Sequence, residues 1–298
     1  MKKRTLILKS ESDSFEKYYS QKMKSENIDV FSIYKFNSGL LRSLTILWIQ
    51  VFHFPFKSMW YGNWKKIVTQ YDRIIVFDRL YGYDILEYIH RKNGKARLIF
   101  WYWNIAQNMI PNKYRKYCEV WSFDGDDCKK YNFRKNVQFY FQPESSNNVI
   151  NYDAVFIGRD KGRYEQIKRL YDYLNEKNLK LNFNVLDSEH KEGICIDKAI
   201  DYEEVIKLIE SSRCVVEFTQ KDQTGLSARA LEALFYKKKL VTNNKAIRYE
   251  KIYSKDNVFI LEEDNIEELV KFISEPYVVS EKDFEKEYTY ETWIKNFE

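Results

Sequence analysis

The sequence predicts an α/β protein with two domains, each containing a parallel sheet. Short apolar runs alternate with helical patterns along the chain, and such alternation is typical of a parallel sheet. The polar stretch Gln142–Asn151 interrupts the alternation, which restarts at Tyr152. A chain of 298 residues is long enough for two domains of ordinary size. We therefore assign the domains to residues 1–145 and 150–280.

The first domain contains six predicted strands and three predicted helices. The strands are Arg4–Lys9, Ile28–Tyr34, Arg73–Asp78, Ala96–Tyr102, Glu119–Phe123 and Asn136–Phe141. The helices are Ser14–Lys24, Tyr83–Arg91 and Asp126–Tyr131.

Polar residues follow several of these strands, at the edge where parallel sheets collect their chemistry. Asp78, Asn104 and Asp124 stand at such ends. A carboxylate there can act as a general base. Asp78 is the leading candidate and Asp124 the second, ahead of Glu11 or Glu16; the alternative for Asp78 is that it caps the next helix. Arg79, Tyr81 and Asn104 are candidate contacts for a second substrate.

The stretch Leu40–Lys66 combines leucines and aromatic residues with basic residues. Helices that lie in a membrane interface have this composition. A helix buried against the sheet and ended by Pro55 would show the same pattern, and the sequence does not separate the two interpretations.

The second domain repeats the alternation. Its predicted strands are Tyr152–Ile157, Leu181–Leu186, Val215–Phe218, a strand that starts at Leu240, and Asn257–Leu261. Its predicted helices are Tyr164–Glu176, Tyr202–Ser211, a helix from Leu226, Ile266–Ser274 and Glu281–Phe297.

Two glycine-containing turns of this domain have the composition of anion-binding sites. The turn Gly158–Arg163 carries Arg159, Lys161 and Arg163, and guanidinium groups suit a diphosphate. The loop at Gly225 leads into a helix, whose free N–H groups favour an anion. Thr224 or Ser227 is expected to cap that helix. On spacing alone, both turns are also compatible with ordinary solvated turns, and Glu232 with a surface glutamate.

A longer register around Gly225 indicates a family. Thr224-Gly225-Leu226-Ser227, Leu231-Glu232-Ala233-Leu234 and Lys239-Leu240-Val241-Thr242 resemble the donor-site segment of GT-B glycosyltransferases, most of all bacterial enzymes of lipopolysaccharide and capsule synthesis. The resemblance implies two Rossmann-like domains with parallel sheets facing across a cleft. It also implies that a terminal helix, residues 281–298, packs back on the first domain.

The resemblance further implies a transferase that moves a sugar from a nucleotide-diphosphate sugar, UDP-linked by expectation, to a lipid-linked or other glycan acceptor. Glu232 would bind the ribose. The implied donor-binding residues are Gly158, Arg159, Lys161, Arg163, Gln223, Thr224, Gly225, Leu226, Ser227, Arg229 and Glu232. Many retaining members have a glutamate where this chain has Thr224, so the resemblance does not extend to the retaining mechanism.

Composition limits the other partners. Residues 1–150 contain 25 basic and 14 acidic residues, a net charge of +11, whereas the net charge of the whole chain is +5. This excess predicts an anionic partner. No nucleic-acid-binding spacing appears, so an anionic membrane surface or a phosphate-bearing acceptor is the expected one.

No bound metal or cofactor is predicted, because the three histidines and four cysteines lack ligand spacing. Asp124-Gly125-Asp126 keeps a metal-dependent alternative open. No run of about 18 apolar residues is present, so we expect a cytoplasmic protein with free thiols, peripheral at most on the inner face of the plasma membrane. The remaining alternatives are a sugar-nucleotide epimerase of similar architecture and a non-catalytic nucleotide- or nucleic-acid-binding module.

Overall fold

The structure is a computed structural model that describes residues 3–106, 109–143, 149–187, 193–220, 222–280 and 282–298. The chain divides into two compact units, residues Met1–Asn136 (unit 1) and Val137–Glu298 (unit 2). The division falls before the predicted linker, whose centre at 144–148 lies outside the described residues.

Unit 1 contains a six-stranded parallel sheet with the order β2-β1-β3-β4-β5-β6. Its strands are β1 (Thr5–Lys9), β2 (Ile28–Ser32), β3 (Arg73–Phe77), β4 (Arg97–Tyr102), β5 (Glu119–Ser122) and β6 (Arg134–Lys135). Ile7 pairs with Ile75, which pairs with Ile99, and all three side chains are fully buried. Branched side chains suit a pleated sheet that is covered on both faces.

The helices of unit 1 follow the strands, as a parallel connection requires. They are α1 (Ser14–Lys22), α2 (Gly39–Ile46), α3 (Asp84–Lys92), α4 (Asn112–Arg115) and α5 (Gly125–Tyr131). A π-helical turn, Leu47–Val51, and three 3₁₀ turns, Lys57–Trp60, Asn63–Lys66 and Val68–Gln70, lie between α2 and β3.

Unit 2 contains a second parallel six-stranded sheet with the order β12-β11-β10-β7-β8-β9. Its strands are β7 (Tyr152–Arg159), β8 (Leu181–Leu186), β9 (Cys195–Ile196), β10 (Ser212–Glu217), β11 (Lys239–Thr242) and β12 (Val258–Ile260). Its helices are α6 (Tyr164–Glu176), α7 (Tyr202–Glu210), α8 (Ala228–Phe235), α9 (Leu269–Ser274) and α10 (Tyr290–Lys295). Short 3₁₀ turns are formed by Lys245–Tyr249, Ile266–Glu268 and Phe284–Tyr288.

The predicted strand Asn136–Phe141 is wrong, because the last strand of the first sheet is the earlier pair Arg134–Lys135. Residues 137–141 instead pack their aromatic side chains in unit 2, where the Phe139 ring lies 4.5 Å from that of Trp293. The predicted helix Glu281–Phe297 is shorter than expected, because Thr289 caps a new helix at Tyr290. The packing of the terminal helix on the first domain stays a prediction.

The stretch Leu40–Lys66 is not a buried helix. Ile49 and Trp64 reach the core, but Leu40 is 76% exposed and Phe56 79% exposed. The interpretation as a core helix is therefore wrong for most of this stretch. In the described part of the chain, no helix combines the length and the apolar character needed to cross a bilayer.

Candidate functional site

In unit 2, the loop between β10 and α8 is fixed by Glu217, the last residue of β10. One carboxylate oxygen of Glu217 accepts from the Thr242 hydroxyl at 2.8 Å, and the other accepts from the Ser227 hydroxyl. Ser227 in turn caps α8, because its Oγ accepts from the amide of Ala230 at 3.1 Å. The prediction that Thr224 or Ser227 caps this helix is confirmed for Ser227.

Glu217 is 4% exposed, and this burial raises the pKa of its carboxyl group. The hydrogen bonds from Ser227 and Thr242 oppose that rise, since they stabilise the charged form. The sequence analysis did not identify Glu217 as a site residue, because a polar residue at the end of a strand is common. It joins β10, β11 and α8 at the carboxyl edge of the sheet.

Two asparagines after β11 hold the same loop. Asn243 Oδ1 accepts from the amide and the hydroxyl of Thr219, at 2.7 and 3.1 Å. The Asn244 side chain donates to the carbonyls of Thr224 and Gly225, at 3.4 and 3.5 Å. Nothing in the sequence pattern distinguishes either residue.

The predicted donor residues of this loop take different positions. Gln223 Nε2 donates to the Gly225 carbonyl at 3.2 Å, so this side chain folds onto the loop. Leu226 is 4% exposed and belongs to the packing of the loop. Thr224 and Gly225 contribute carbonyl groups to the contacts of Asn244.

Glu232 lies inside unit 2, with 1% of its surface exposed. Its Oε1 accepts from the Tyr202 hydroxyl at 2.6 Å, and its Oε2 pairs with Arg229. Burial raises the pKa of this carboxyl group, against the effect of Arg229. The interpretation of Glu232 as a surface residue is wrong. Ribose binding stays a prediction, and it requires a hydroxyl to reach a carboxylate that Tyr202 and Arg229 already contact.

Arg229 is also engaged. Its second guanidinium nitrogen donates to the Ile157 carbonyl at 3.1 Å, so Arg229 connects α8 to the end of β7. Four fifths of its side chain is covered, since only 20% is exposed. These contacts favour a structural role for Arg229 over a free diphosphate-binding cation.

In the turn after β7, the backbone amides bind the carboxylate of Asp160, a residue of the same turn. Asp160 accepts from the amides of Gly162 and Arg163, at 2.9 and 2.8 Å. The Arg163 guanidinium donates to the carbonyls of Asp160, Arg159 and Phe218. Burial lowers the pKa of Arg163, and the charges of Asp160 and Glu217 oppose this. Arg163 therefore connects the turn to the end of β10, whereas Arg159 and Lys161 are exposed at its surface.

Gly158 is the position of close packing in β7. A Cβ atom there would lie 3.1 Å from the ring of Phe156, so a larger residue would displace that ring.

In unit 1, Asp78 follows β3, and its Oδ2 accepts from the amide and the side chain of Asn104, at 3.1 and 3.3 Å. Its Oδ1 is buried and has no hydrogen-bond partner among the described residues. Burial raises the pKa of Asp78 to about 6, against the effect of the two Asn104 hydrogen bonds. The helix-cap alternative is wrong, since Tyr83 occupies the N-cap position of α3.

Asp124 is the residue that caps a helix. It is 1% exposed, and its Oδ1 accepts from the amides of Asp126 and Asp127, at 3.0 and 3.1 Å. Asp126 forms an ion pair with Lys129. These contacts favour a structural role for Asp124 over a catalytic one. The described residues contain no cluster of three or more side chains that could bind a metal ion.

A buried lysine lies at the end of β1. Lys9 Nζ, 1% exposed, donates to the Glu16 carboxylate and to the carbonyls of Glu16 and Ser10, at 2.7 and 2.9 Å. Burial lowers the pKa of Lys9, against the charge of Glu16. Glu16 also accepts from Arg79 at 2.9 Å, so Glu16 is engaged and is not a free base. Lys9 was missed in the sequence.

The other two acceptor candidates are placed differently. Arg79 is predicted to contact the acceptor. Its side chain pairs with Glu16 and is 46% exposed. Tyr81 stacks on Tyr34 with ring centroids 4.4 Å apart, and its hydroxyl accepts from Arg42 at 3.1 Å. All four cysteines are free thiols, and Cys214 is buried.

No family model matches this chain, and no curated protein matches its sequence. Several solved structures are similar to this chain. An α-glucosyltransferase in complex with UDP-glucose and DNA matches with a TM-score of 0.52 and 12% identity, over 91% of this chain and 88% of that one. A DNA-modifying β-glucosyltransferase matches with a TM-score of 0.52 and 12% identity, over 99% and 95% of the two chains.

A third match is the lipopolysaccharide outer core galactosyltransferase WaaB, with a TM-score of 0.52 and 13% identity over 99% of this chain and 98% of that one. These enzymes have two Rossmann-like domains of the GT-B type. This chain has the GT-B fold. At such identities the likeness establishes the fold alone.

Proposed function

We propose that this GT-B protein is a glycosyltransferase. It transfers a hexose from a nucleotide-diphosphate sugar, UDP-linked, to a lipid-linked or other glycan acceptor in bacterial surface polysaccharide synthesis, in the cytoplasm. The observation that carries the proposal is the loop from Thr224 to Ser227. It joins β10 to a capped helix at the carboxyl edge of a GT-B sheet, where open α/β sheets bind their ligands.

The donor half of the proposal rests on unit 2. The start of α8 has backbone N–H groups without partners inside the helix, and such groups favour a phosphate. Glu217 fixes the position of that helix start through Ser227. Arg159 ends β7, the strand next to β10 in the sheet, so its exposed cation lies along the same edge. Arg159 and Lys161 are the cations proposed for the diphosphate, in place of a metal.

The acceptor half rests on unit 1. An attacking sugar hydroxyl needs a carboxylate that is ionised near neutral pH and has a free acceptor atom. Asp78 has a raised pKa of about 6 and a buried oxygen without a partner among the described residues. We propose Asp78 as the general base, with Asn104 as the residue that positions it.

Two of the similar structures carry DNA or are named for DNA modification, and one is named for lipopolysaccharide synthesis. The proposed acceptor is a glycan, because the residues around Gly225 resemble the enzymes of surface polysaccharide synthesis. Duplex DNA therefore belongs in the test as an acceptor that we expect to be inactive.

The test begins with thermal denaturation of the full chain with UDP, GDP, CMP and dTDP, since a ligand of the native state raises Tm. We expect UDP to give the largest rise. UDP-sugars are then incubated with glycan, lipid-linked and DNA acceptors. A transferase releases UDP only when its acceptor is present, an epimerase converts the donor without releasing UDP, and a binding module does neither. The last two outcomes would overturn the proposal.

A further inference from the structure

Unit 1 carries a surface whose composition differs from the rest of its exterior. We call residues 40–59 the apolar segment; it contains α2, the π-helical turn and the 3₁₀ turn Lys57–Trp60. Its exposed large apolar side chains, between 41% and 79% accessible, are Leu40, Leu41, Leu44, Leu47, Val51, Phe52, Phe54, Phe56 and Met59. In the described part of unit 1, Met109 is the one other such side chain. Contiguous apolar surfaces of this kind mark sites of interaction.

The segment is ordered by its own contacts. Ile49 anchors it to the core with 1% exposure. Trp48, next to Ile49, donates from Nε1 to the Pro55 carbonyl at 2.8 Å. The rings of Phe52 and Phe54 stack with centroids 5.2 Å apart. Phe56 has a φ of 59°, a left-handed conformation that phenylalanine rarely adopts. The aromatic side chains at this turn are therefore exposed by a defined backbone.

The charged residues within the segment and its sequence flanks have one sign. From Val30 to Tyr71 the sequence contains no Asp or Glu, but it contains Lys35, Arg42, Lys57, Lys65 and Lys66. Lys65 Nζ donates to the Ser58 carbonyl at 2.8 Å, at the border of the segment. Burial lowers the pKa of Lys65, and the neighbouring charges of Lys35 and Lys66 lower it further. The amide of Lys35 donates to the Trp60 carbonyl at 3.0 Å, so Lys35 and Lys65 both border the segment, and an anionic surface would relieve their repulsion.

The segment adjoins the loop that follows Asp78. Arg42 donates to the Tyr81 hydroxyl at 3.1 Å, and Lys57 pairs with Asp84 at 2.7 Å. A Cβ atom at Gly82 would lie 3.0 Å from Ile49, so the loop packs directly on the segment. Whatever contacts the apolar segment thus lies near the end of β3.

We propose that the apolar segment docks unit 1 on an anionic lipid bilayer, with its exposed leucines and phenylalanines below the headgroups and Lys35, Lys65 and Lys66 at the headgroup phosphates. Exposed apolar side chains accompany basic residues and no Asp or Glu between Val30 and Tyr71, and the nearby Asp84 is paired with Lys57. This combination favours anionic lipid over a protein partner. Docking brings the loop 78–84 to the lipid surface. That last consequence rests on the proposed function, because it gives Asp78 access to a lipid-linked acceptor; the docking itself does not.

The full chain is sedimented with vesicles of phosphatidylcholine alone and with vesicles in which about a third of the lipid is phosphatidylglycerol. We expect binding to the anionic vesicles and little to the neutral ones. Raising salt to about 0.5 M should weaken the binding several-fold, since it screens the lysines. A salt-resistant fraction should remain, held by the apolar side chains.

Variants identify the surface. The triple variant Phe52→Ser, Phe54→Ser, Phe56→Ser should bind anionic vesicles at least about tenfold more weakly, and Lys35→Glu with Lys66→Glu should lose the salt-sensitive part. The matched control is Val149→Ser with Val279→Ser, two exposed apolar residues of unit 2, which should bind like the wild type. Near-ultraviolet circular dichroism confirms that each variant is folded. As a direct measure of depth, Phe56→Trp should be quenched by brominated lipid.

Three results would overturn the proposal. The first is a wild-type chain that stays in the supernatant with both vesicles. The second is a folded triple variant that binds as the wild type does. The third is self-association in sedimentation velocity that the triple variant abolishes, with no lipid binding, because the surface would then be an interface between copies of the chain. Donor binding is measured separately by the UDP-induced rise in Tm, so failure of docking and failure of the proposed function are distinguishable.

Discussion

The amide of Asn104 donates to Asp78 Oδ2 over 3.1 Å, so a residue just beyond β4 holds the carboxylate that follows β3. The contact leaves Oδ1 of Asp78 buried and without a partner among the described residues. Burial raises the pKa of this group to about 6. An oriented carboxylate with one free oxygen has the properties of a general base.

Asp78→Asn should lower kcat by a factor of about 10² to 10⁴, the usual contribution of a general base. The asparagine keeps an oxygen that accepts from Asn104, so the fold and the UDP-induced rise in Tm should be unchanged. Asp126→Asn is the matched control, since Asp126 lies exposed in α5 and pairs with Lys129. Equal activities of the two variants would remove Asp78 from the mechanism.

The rate should depend on pH through Asp78. A general base acts in its ionised form, so log kcat/KM should fall with decreasing pH below the Asp78 pKa of about 6 and level off above it. The measurement is a pH profile of the wild type together with Asp78→Asn. A limb near pH 6 that persists in Asp78→Asn belongs to another group and contradicts the assignment.

Ser227→Ala should weaken UDP binding and lower the free energy of unfolding by about 0.5 to 2 kcal/mol, the effect of losing an N-cap. It also removes the hydroxyl that donates to Glu217, which fixes the start of α8. The matched control is Thr289→Ala, which removes the N-cap of α10. Calorimetric titration with UDP should show weaker binding for Ser227→Ala alone; equal affinities would mean that the α8 cap serves the fold and not the donor.

Glu232→Gln tests ribose binding separately from stability. The substitution leaves Arg229 without its carboxylate partner. The free energy of unfolding should therefore fall by up to about 5 kcal/mol, the cost of breaking a buried ion pair. If Glu232 accepts from the ribose, the wild type should prefer UDP over its 2′,3′-dideoxy analogue, and the variant should lose that preference. Tyr202→Phe, which removes a neighbouring donor to Glu232, controls for local rearrangement. A preference unchanged in Glu232→Gln would assign Glu232 to the interior alone.

Much of the fold was predictable because its elements have strong local patterns. α6 and β8 occupy the predicted residues, and the other long strands differ by one to three residues at their ends. The failures occur where tertiary packing replaces local pairing. Residues 136–141 have the alternation of a strand, but Phe139 and Tyr140 pack against Trp293 and Phe235 instead.

The placement of polar residues at the strand ends was predictable, but their contacts were not. In unit 1, Asp78 and Asn104 follow neighbouring strands and contact each other, as parallel topology leads one to expect. The sequence does not show that the Asp160 carboxylate accepts hydrogen bonds from the amides of its own turn. Nor does it show that the Arg163 guanidinium donates to three carbonyls. Those contacts join residues up to 55 positions apart, and composition does not distinguish an arginine that contacts the backbone from one that is free for phosphate.

Transferase activity is tested by the release of UDP by the full chain from a panel of UDP-sugars, with and without a glycan or lipid-linked acceptor fraction. We expect one UDP-sugar to yield UDP in step with labelled sugar on the acceptor, and omission of the acceptor to stop the release. Asp78→Asn should lower the release by a factor of about 10² to 10⁴ while still binding UDP. Binding of UDP without any transfer, or release that is equal in the wild type and Asp78→Asn, would contradict the proposed function.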